Sequence, residues 1–329
     1  MVTGIIKLAT CLIIVVAMAA SFPGMAIAQV SAPSTIPDFV KMPDDGYRPL
    51  TELIASASRT ITVVTPSLTD PVILGALKSA RARGVTIRVM TGSSSVIAGN
   101  SAEAQKIFAE AKILTLRPNS AFHETRESAI IVDGRTAAVS TSPLTEQAFA
   151  KGRAFVCVFL DPRYAEELTS AFDADAERKI FRPGFVYTAF SPESARGAAK
   201  NIISAAKNSL WIYAESIADE DIENALVKAA KSGVMVKVLT SDASAASMPG
   251  IVRLTQGGCL VRIQASPQIT GSVILADTVT NVAAAFVGSQ SLAIASFDEN
   301  RELAVIVRDA HRISVLRSTF EKDWTAAQR

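Results

Sequence analysis

Side chains able to carry chemistry are few in this chain, and most of their spacings exclude a mechanism rather than suggest one. The 329 residues include two histidines, His123 and His311, and three cysteines. Any mechanism built on paired imidazoles must therefore use both histidines. So few cysteines exclude a disulfide-built scaffold and a multi-cysteine zinc framework. The carboxylates show no metal-ligand spacing, and Asp219-Glu220-Asp221 reads as charge complementing the dipole at a helix N-terminus. No Gly-x4-Gly-Lys phosphate loop is present. Neither a metal nor a cofactor is expected. Hydroxyls remain: Thr270 and Ser272, with Ser289 and Ser291, could line a polar pocket. A hydroxyl can hydrogen-bond a phosphate, but without an adjacent base it is a poor nucleophile. The formal charge of +2 excludes a strongly basic nucleic-acid binder, though it leaves room for a local basic pocket.

The elements that must position these groups occur twice. Ala76-Leu77…Ala80…Gly84-Val85-Thr86-Ile87-Arg88-Val89 returns as Ala225-Leu226…Ala229…Gly233-Val234-Met235-Val236-Lys237-Val238. Phe155–Asp161 returns as Leu303–Asp309, and Phe172…Asp175 as Phe320…Asp323. A period this long marks a duplicated domain, not a solenoid. In each half, β-branched runs such as Thr60–Thr65 alternate with amphipathic stretches, such as the helix that Asp70 and Pro71 open and Gly84 stops. The pattern predicts an α/β sandwich in each half, over residues 48–182 and 183–329, with a joint near Pro183 and Gly184.

Residues 1–28 read as an export signal: Lys7, the apolar run Leu8–Ala20, Pro23, and a small-x-small site ending at Ala28. An uncleaved anchor is the other reading, but the run is short for spanning a membrane. The expected product is periplasmic or secreted, with no membrane span after cleavage and a net charge near +1. Residues 29–47 look like an extended lead-in. Cys157 and Cys259 sit in apolar strand-like runs and read as buried thiols, although an oxidising compartment would allow them to pair.

The repeated Ala-Leu-x-x-Ala…Gly-Val helix end, the Val132-Asp133-Gly134 strand end, the Asn300-Arg301-Glu302 strand start and the final Phe320…Asp323-Trp324 resemble the phospholipase D superfamily. The resemblance covers nearly all of residues 48–325. It implies two tandem α/β repeats about a pseudo-two-fold axis, and phosphodiester chemistry run by a His-x-Lys-x4-Asp motif from each half. In that chemistry one histidine attacks phosphorus, the other protonates the leaving oxygen, and the lysines neutralise phosphoryl charge.

Counting back from Asp133 puts Arg126 and Ser128 at the histidine and lysine positions of the first half. Counting back from Asp277 puts Thr270 and Ser272 there in the second. The supporting Gly-Ser-x-Asn segment reads Gly288-Ser289-Gln290-Ser291, and Asn300 and Glu302 keep the late Asn-x-Glu pattern. The expectation is an exported, catalytically inactive binding or interaction module, monomeric because both repeats lie in one chain. Its partner is a phosphate-bearing ligand or an envelope protein. A divergent phosphodiesterase using a hydroxyl, or His123 three residues before its slot, is the alternative. Arg126 suits bidentate phosphate binding, and it suits equally a salt bridge to Glu124, Glu127 or Asp133.

Overall fold

The computed structural model describes residues 38–92, 102–241, 248–280 and 282–327. The proposed signal lies outside them. The β-branched run Thr60–Thr65 forms β2, buried from its second residue onward at the centre of the first sheet. Parallel to it run β3 (Thr86–Thr91) and β4 (Leu114–Leu116). On its other side, antiparallel, follow β5 (Ser128–Val132), β6 (Thr136–Ser140), β7 (Gly152–Phe159) and β1 (Phe39–Met42).

The second sheet repeats this plan strand for strand. Its order is β11 (Leu260–Ile263), β10 (Met235–Thr240), β9 (Ser209–Ala214), β13 (Ser272–Ala276), β14 (Ala284–Gly288), β15 (Glu302–Val307) and β8 (Thr188–Ser191). Strands whose neighbours cover both faces need continuous apolar runs, and β5, β7, β13 and β15 are buried throughout.

One core lies outside each sheet. In the first half, α1 (Arg48–Ala55) and α2 (Pro71–Ala82) bring Leu53, Ile54, Ile73 and Leu77 onto Ile61, Val63 and Ile130. Asp70 accepts from the Val72 and Ile73 N–H groups and so caps α2, as its position before Pro71 predicts. In the second half, α6 (Ala195–Ala205) and α7 (Glu220–Lys231) cover Ile212, Val236 and Ile274 in the same way. A third core joins the halves. It holds residues of both sheets together with Leu168 and Phe172 of α5 (Pro162–Ala176) and Leu316 and Phe320 of α10 (Ala310–Ala326).

Three features depart from the sequence reading. Phe39–Met42, inside the expected lead-in, is an edge strand on β7. β7 begins at Gly152, ahead of the repeated Phe155–Asp161 segment, because α4 (Glu146–Lys151) delivers the chain straight into it. Finally β12 (Gln268–Ile269) leaves its own half and pairs in parallel with Gly152 and Arg153 of β7.

Candidate functional site at the seam

The strand that carries Ser128 and its counterpart carrying Ser272 end at the seam between halves. Register fixes their neighbours. Ser128 pairs with Ser140 and ends the strand that faces Thr65; its Oγ lies 3.1 Å from Thr65 Oγ1. Ser272 pairs with Ala214 and Gly288, and Ala214 pairs onward with Thr240. With strands about 4.8 Å apart, Thr65, Ser128 and Ser140 stand in a row across this end of the first sheet, whereas in the second Ala214 and Gly288 flank Ser272, and Thr240 lies two strands away. Some polar side-chain atoms here have no partner: the Oγ atoms of Ser142 and Ser272, Oγ1 of Thr240 and Oδ1 of Asn300 are buried without a hydrogen bond. Unpartnered buried polar atoms are scarce in folded proteins, so these are groups with hydrogen-bonding capacity left to use.

Each half reaches across to hold the other. The Arg126 and Glu127 N–H groups donate to the Arg301 carbonyl, at 2.8 and 3.2 Å, and the Arg301 N–H donates to the Glu124 carbonyl. The Thr270 N–H donates to the Arg153 carbonyl at 3.4 Å, the same contact with the halves exchanged. Gly271 makes this close approach possible: its φ is +71°, and a Cβ there would collide with the carbonyl oxygens of Thr141 and Gly288.

Arg126 sits at the seam with its side chain 29% exposed, open to solvent and to a ligand. Burial works against its charge, but Glu215, Glu302 and Glu124 outweigh it and hold the guanidinium protonated. Its hydrogen-bonded partner is Glu215, at 3.5 Å. The other Glu215 oxygen accepts from the Gly271 N–H at 3.4 Å. Both distances are long for charge-assisted bonds, so the carboxylate is loosely seated.

Behind Arg126 lies Glu302, fully buried. It accepts from Ser289 Oγ at 3.1 Å, Ser296 Oγ at 2.9 Å and Asn300 Nδ2 at 3.1 Å. Burial nevertheless raises its carboxyl to about 7, against the pull of Arg126 and these hydrogen bonds. Ser291 joins the group through its N–H, which donates to Ser296 Oγ.

Asp133 and Asp277 stand elsewhere. Asp133 follows the far end of β5, five residues beyond Ser128 in the chain, or about 16 Å along an extended strand. It accepts from the N–H groups of Ser58, Arg59 and Thr60 and from Ser58 Oγ. Burial would raise its carboxyl, but these bonds hold it down at about 2. Asp277 accepts likewise from Lys207, Asn208 and Ser209 N–H, and its carboxyl is also lowered. Each aspartate staples the helix-to-strand turn ahead of the central strand. Asp133→Ala should therefore destabilise the fold by about 2 kcal/mol in denaturant unfolding while leaving ligand binding at the seam unchanged.

His123 is exposed, its backbone N–H tied to the Glu299 carbonyl, so it lies on the seam's rim rather than among the buried hydroxyls. His311 lies in the first turn of α10, with Nδ1 at 3.2 Å from Asp38. Asp38, Asp309 and His311 could together face a cation, but Arg312 already lies 3.5 Å from Asp38. Cys157 and Cys259 are both free and buried in different cores, and burial raises them to about 12 and about 11.

Sequence reasoning passed over a pair of buried arginines written into both repeats. Arg301, 1% exposed, grips Asp175 through Nε at 2.7 Å and Nη2 at 2.9 Å, and Glu193 through Nη1 at 2.8 Å. Arg153, 3% exposed, meets Asp323 at 2.8 Å and Asp44 at 3.1 Å. In each case the aspartate comes from the closing helix of the opposite half. The signal was the shared arginine of Gly152-Arg153-Ala154 and Asn300-Arg301-Glu302.

Among solved structures the chain is similar to the polyphosphate kinase of Porphyromonas gingivalis, with a TM-score of 0.68 and 12% identity over 86% of this chain and 46% of that one. The chain thus spans about half the length of that kinase. It is similar as well to the phosphatidylserine synthase of Haemophilus influenzae, with a TM-score of 0.65 and 11% identity over 88% and 85% of the two chains. At these identities the likeness is one of fold. No curated protein sequence matches the chain. A family model described as "Cardiolipin synthase, PLD-like domain" matches twice, over residues 50–176 and 199–324. The chain belongs to this phospholipase D-like family and carries its domain twice.

Proposed function

We propose that the protein is an exported phosphate-recognising module on a phospholipase D-like scaffold that no longer turns over phosphodiesters. The observation that supports it is the pair of residues at the histidine positions. Arg126 cannot act as a nucleophile or as a proton shuttle near neutral pH, and Thr270 has its hydroxyl directed at the Arg153 carbonyl. What these positions retain is binding capacity: a part-exposed guanidinium and unpartnered hydroxyls where the two halves meet. No described helix is long and apolar enough to cross a membrane. The retained scaffold and the seam's polarity also suit a ligand that is the phosphate group of a larger molecule.

Purified protein should bind inorganic phosphate or a soluble phosphodiester, and Arg126→Ala should weaken that binding about tenfold or more, as expected for loss of a charge-assisted pair. Bis(p-nitrophenyl) phosphate, phospholipid vesicles and DNA should all remain uncleaved. Turnover abolished by Ser289→Ala would overturn the proposal in favour of a divergent phosphodiesterase. That second reading has one observation behind it: Ser289 Oγ donates to a carboxyl that titrates at about 7. Against it, Ser289 is 4% exposed and Glu302 is inaccessible.

A further inference from the structure

The two buried arginines occupy equivalent places, yet their surroundings differ. Over Arg301 three rings close the space: Phe122 at 4.5 Å from the guanidinium carbon, Phe181 at 5.4 Å and Phe190 at 5.5 Å. Phe122 lies four residues before Arg126, and the residue four before Thr270 is Ser266. Phe190 is the third residue of β8, and the third residue of β1 is Lys41. No ring of the described residues stacks on Arg153. Instead a cavity of about 780 Å³ opens there, with Arg153, Asp323, Gln264, Ser266, Lys151 and Lys322 among its lining. Its size is that of a small-molecule site.

We propose that this cavity is a binding site for a small planar heteroaromatic anion of the mononucleotide type, its ring standing where Phe122 stands at the other end of the seam. Three observations specify that chemistry. The pseudo-symmetric counterpart shows that a flat ring fits this ion-paired arginine, an arrangement favoured by cation–π attraction. Gln264 is 3% exposed and its Nε2 donates to the Pro267 carbonyl at 2.6 Å, while its Oε1, with no partner, is free to accept from a donor such as an exocyclic amine. Arg153 and Lys322 both face carboxylates, Asp323 and Asp44, so the uncommitted positive charge of the lining comes from Lys151, exposed at the margin. A ligand with a ring at one end and an anionic group at the other meets all three. A free phosphate lacks the ring, and a nucleoside lacks the charge.

Calorimetric titration of the purified protein with AMP tests this, with adenosine and ribose 5-phosphate as separate arms. AMP should bind at least tenfold more tightly than either. Ser266→Phe, which writes the first half's plug into the second, should abolish AMP binding with a melting temperature equal to or above that of the parent. The same variant should bind inorganic phosphate at the seam as before. Gln264→Leu, which removes the orphaned acceptor without leaving a gap, should weaken AMP about tenfold. Three outcomes would overturn the proposal: no AMP binding at millimolar concentration, ribose 5-phosphate binding as tightly as AMP, or AMP binding that survives Ser266→Phe. Survival there, with loss in Arg126→Ala, would assign the nucleotide to the seam instead.

Discussion

Replacing Arg301 by methionine should unfold the protein far more readily, lowering stability by about 3–5 kcal/mol. The side chain is 1% exposed and serves two carboxylates directly, Asp175 at 2% and Glu193 at 25% exposure. It also offsets a third, Glu127, whose buried carboxyl is pushed upward by desolvation and held back chiefly by Arg301. Methionine fills a similar length of core and leaves these acids without their cation. Buried charge without a partner is the costly case, whereas a complete pair roughly offsets its own desolvation. For a chain of this size the loss corresponds to a fall of about 6 °C in melting temperature. The variant Arg301→Met/Asp175→Asn should recover part of it, because the two residues share one contact and their effects do not add. Arg153→Met should cost less, since its end of the seam opens to a cavity where water can reach the abandoned carboxylates. Thermal and denaturant unfolding of the three variants measure this; a loss under about 1 kcal/mol in Arg301→Met would refute it.

That network also shows where sequence reading stops. β2 was legible to the residue because a β-branched run has clear ends. The duplicated plan was legible because two copies of one pattern reinforce each other. The edge strands β1 and β8 were not: four residues each, they carry mixed side chains and take their identity from β7 and β15. The crossing of β12 onto β7 joins residues more than a hundred positions apart, which periodicity cannot encode. Among site residues, counting in the family's register led to Arg126 and Ser128, since register along a strand is rigid. The same pattern grouped Asp133 with them, although its carboxylate serves a turn at the other end of that strand. Glu215 gave no sign at all. A single acid after an apolar strand resembles any surface residue, and its role depends on Arg126 arriving from the other half.

Glu302 makes the stability of the protein fall with rising pH across the neutral range. An unfolded glutamate titrates near 4.5, and the folded one at about 7. Between those values the native state holds a proton that the unfolded chain has released, so raising the pH favours unfolding. Below 4.5 the contribution is fully present, and above about 7 it is lost. The shift corresponds to about 3 kcal/mol across that window, and Glu127, raised for the same reason, acts with the same sign. The staples at Asp133 and Asp277 act oppositely and lower down: their depressed carboxyls stabilise the fold above about pH 4, and that contribution is lost on further acidification. Melting temperature should therefore rise by about 5 °C from pH 8 to pH 5.5 and fall again below pH 4. Glu302→Gln is neutral at every pH and keeps the shape of the side chain, so it should flatten the upper slope and melt above the parent at pH 8. A parent curve that is level between pH 5.5 and 8, or a Glu302→Gln curve parallel to it, would show that Glu302 stays ionised in the fold. Arg126 would then be balanced by two carboxylates, Glu215 and Glu302, and phosphate would have to displace one of them to bind.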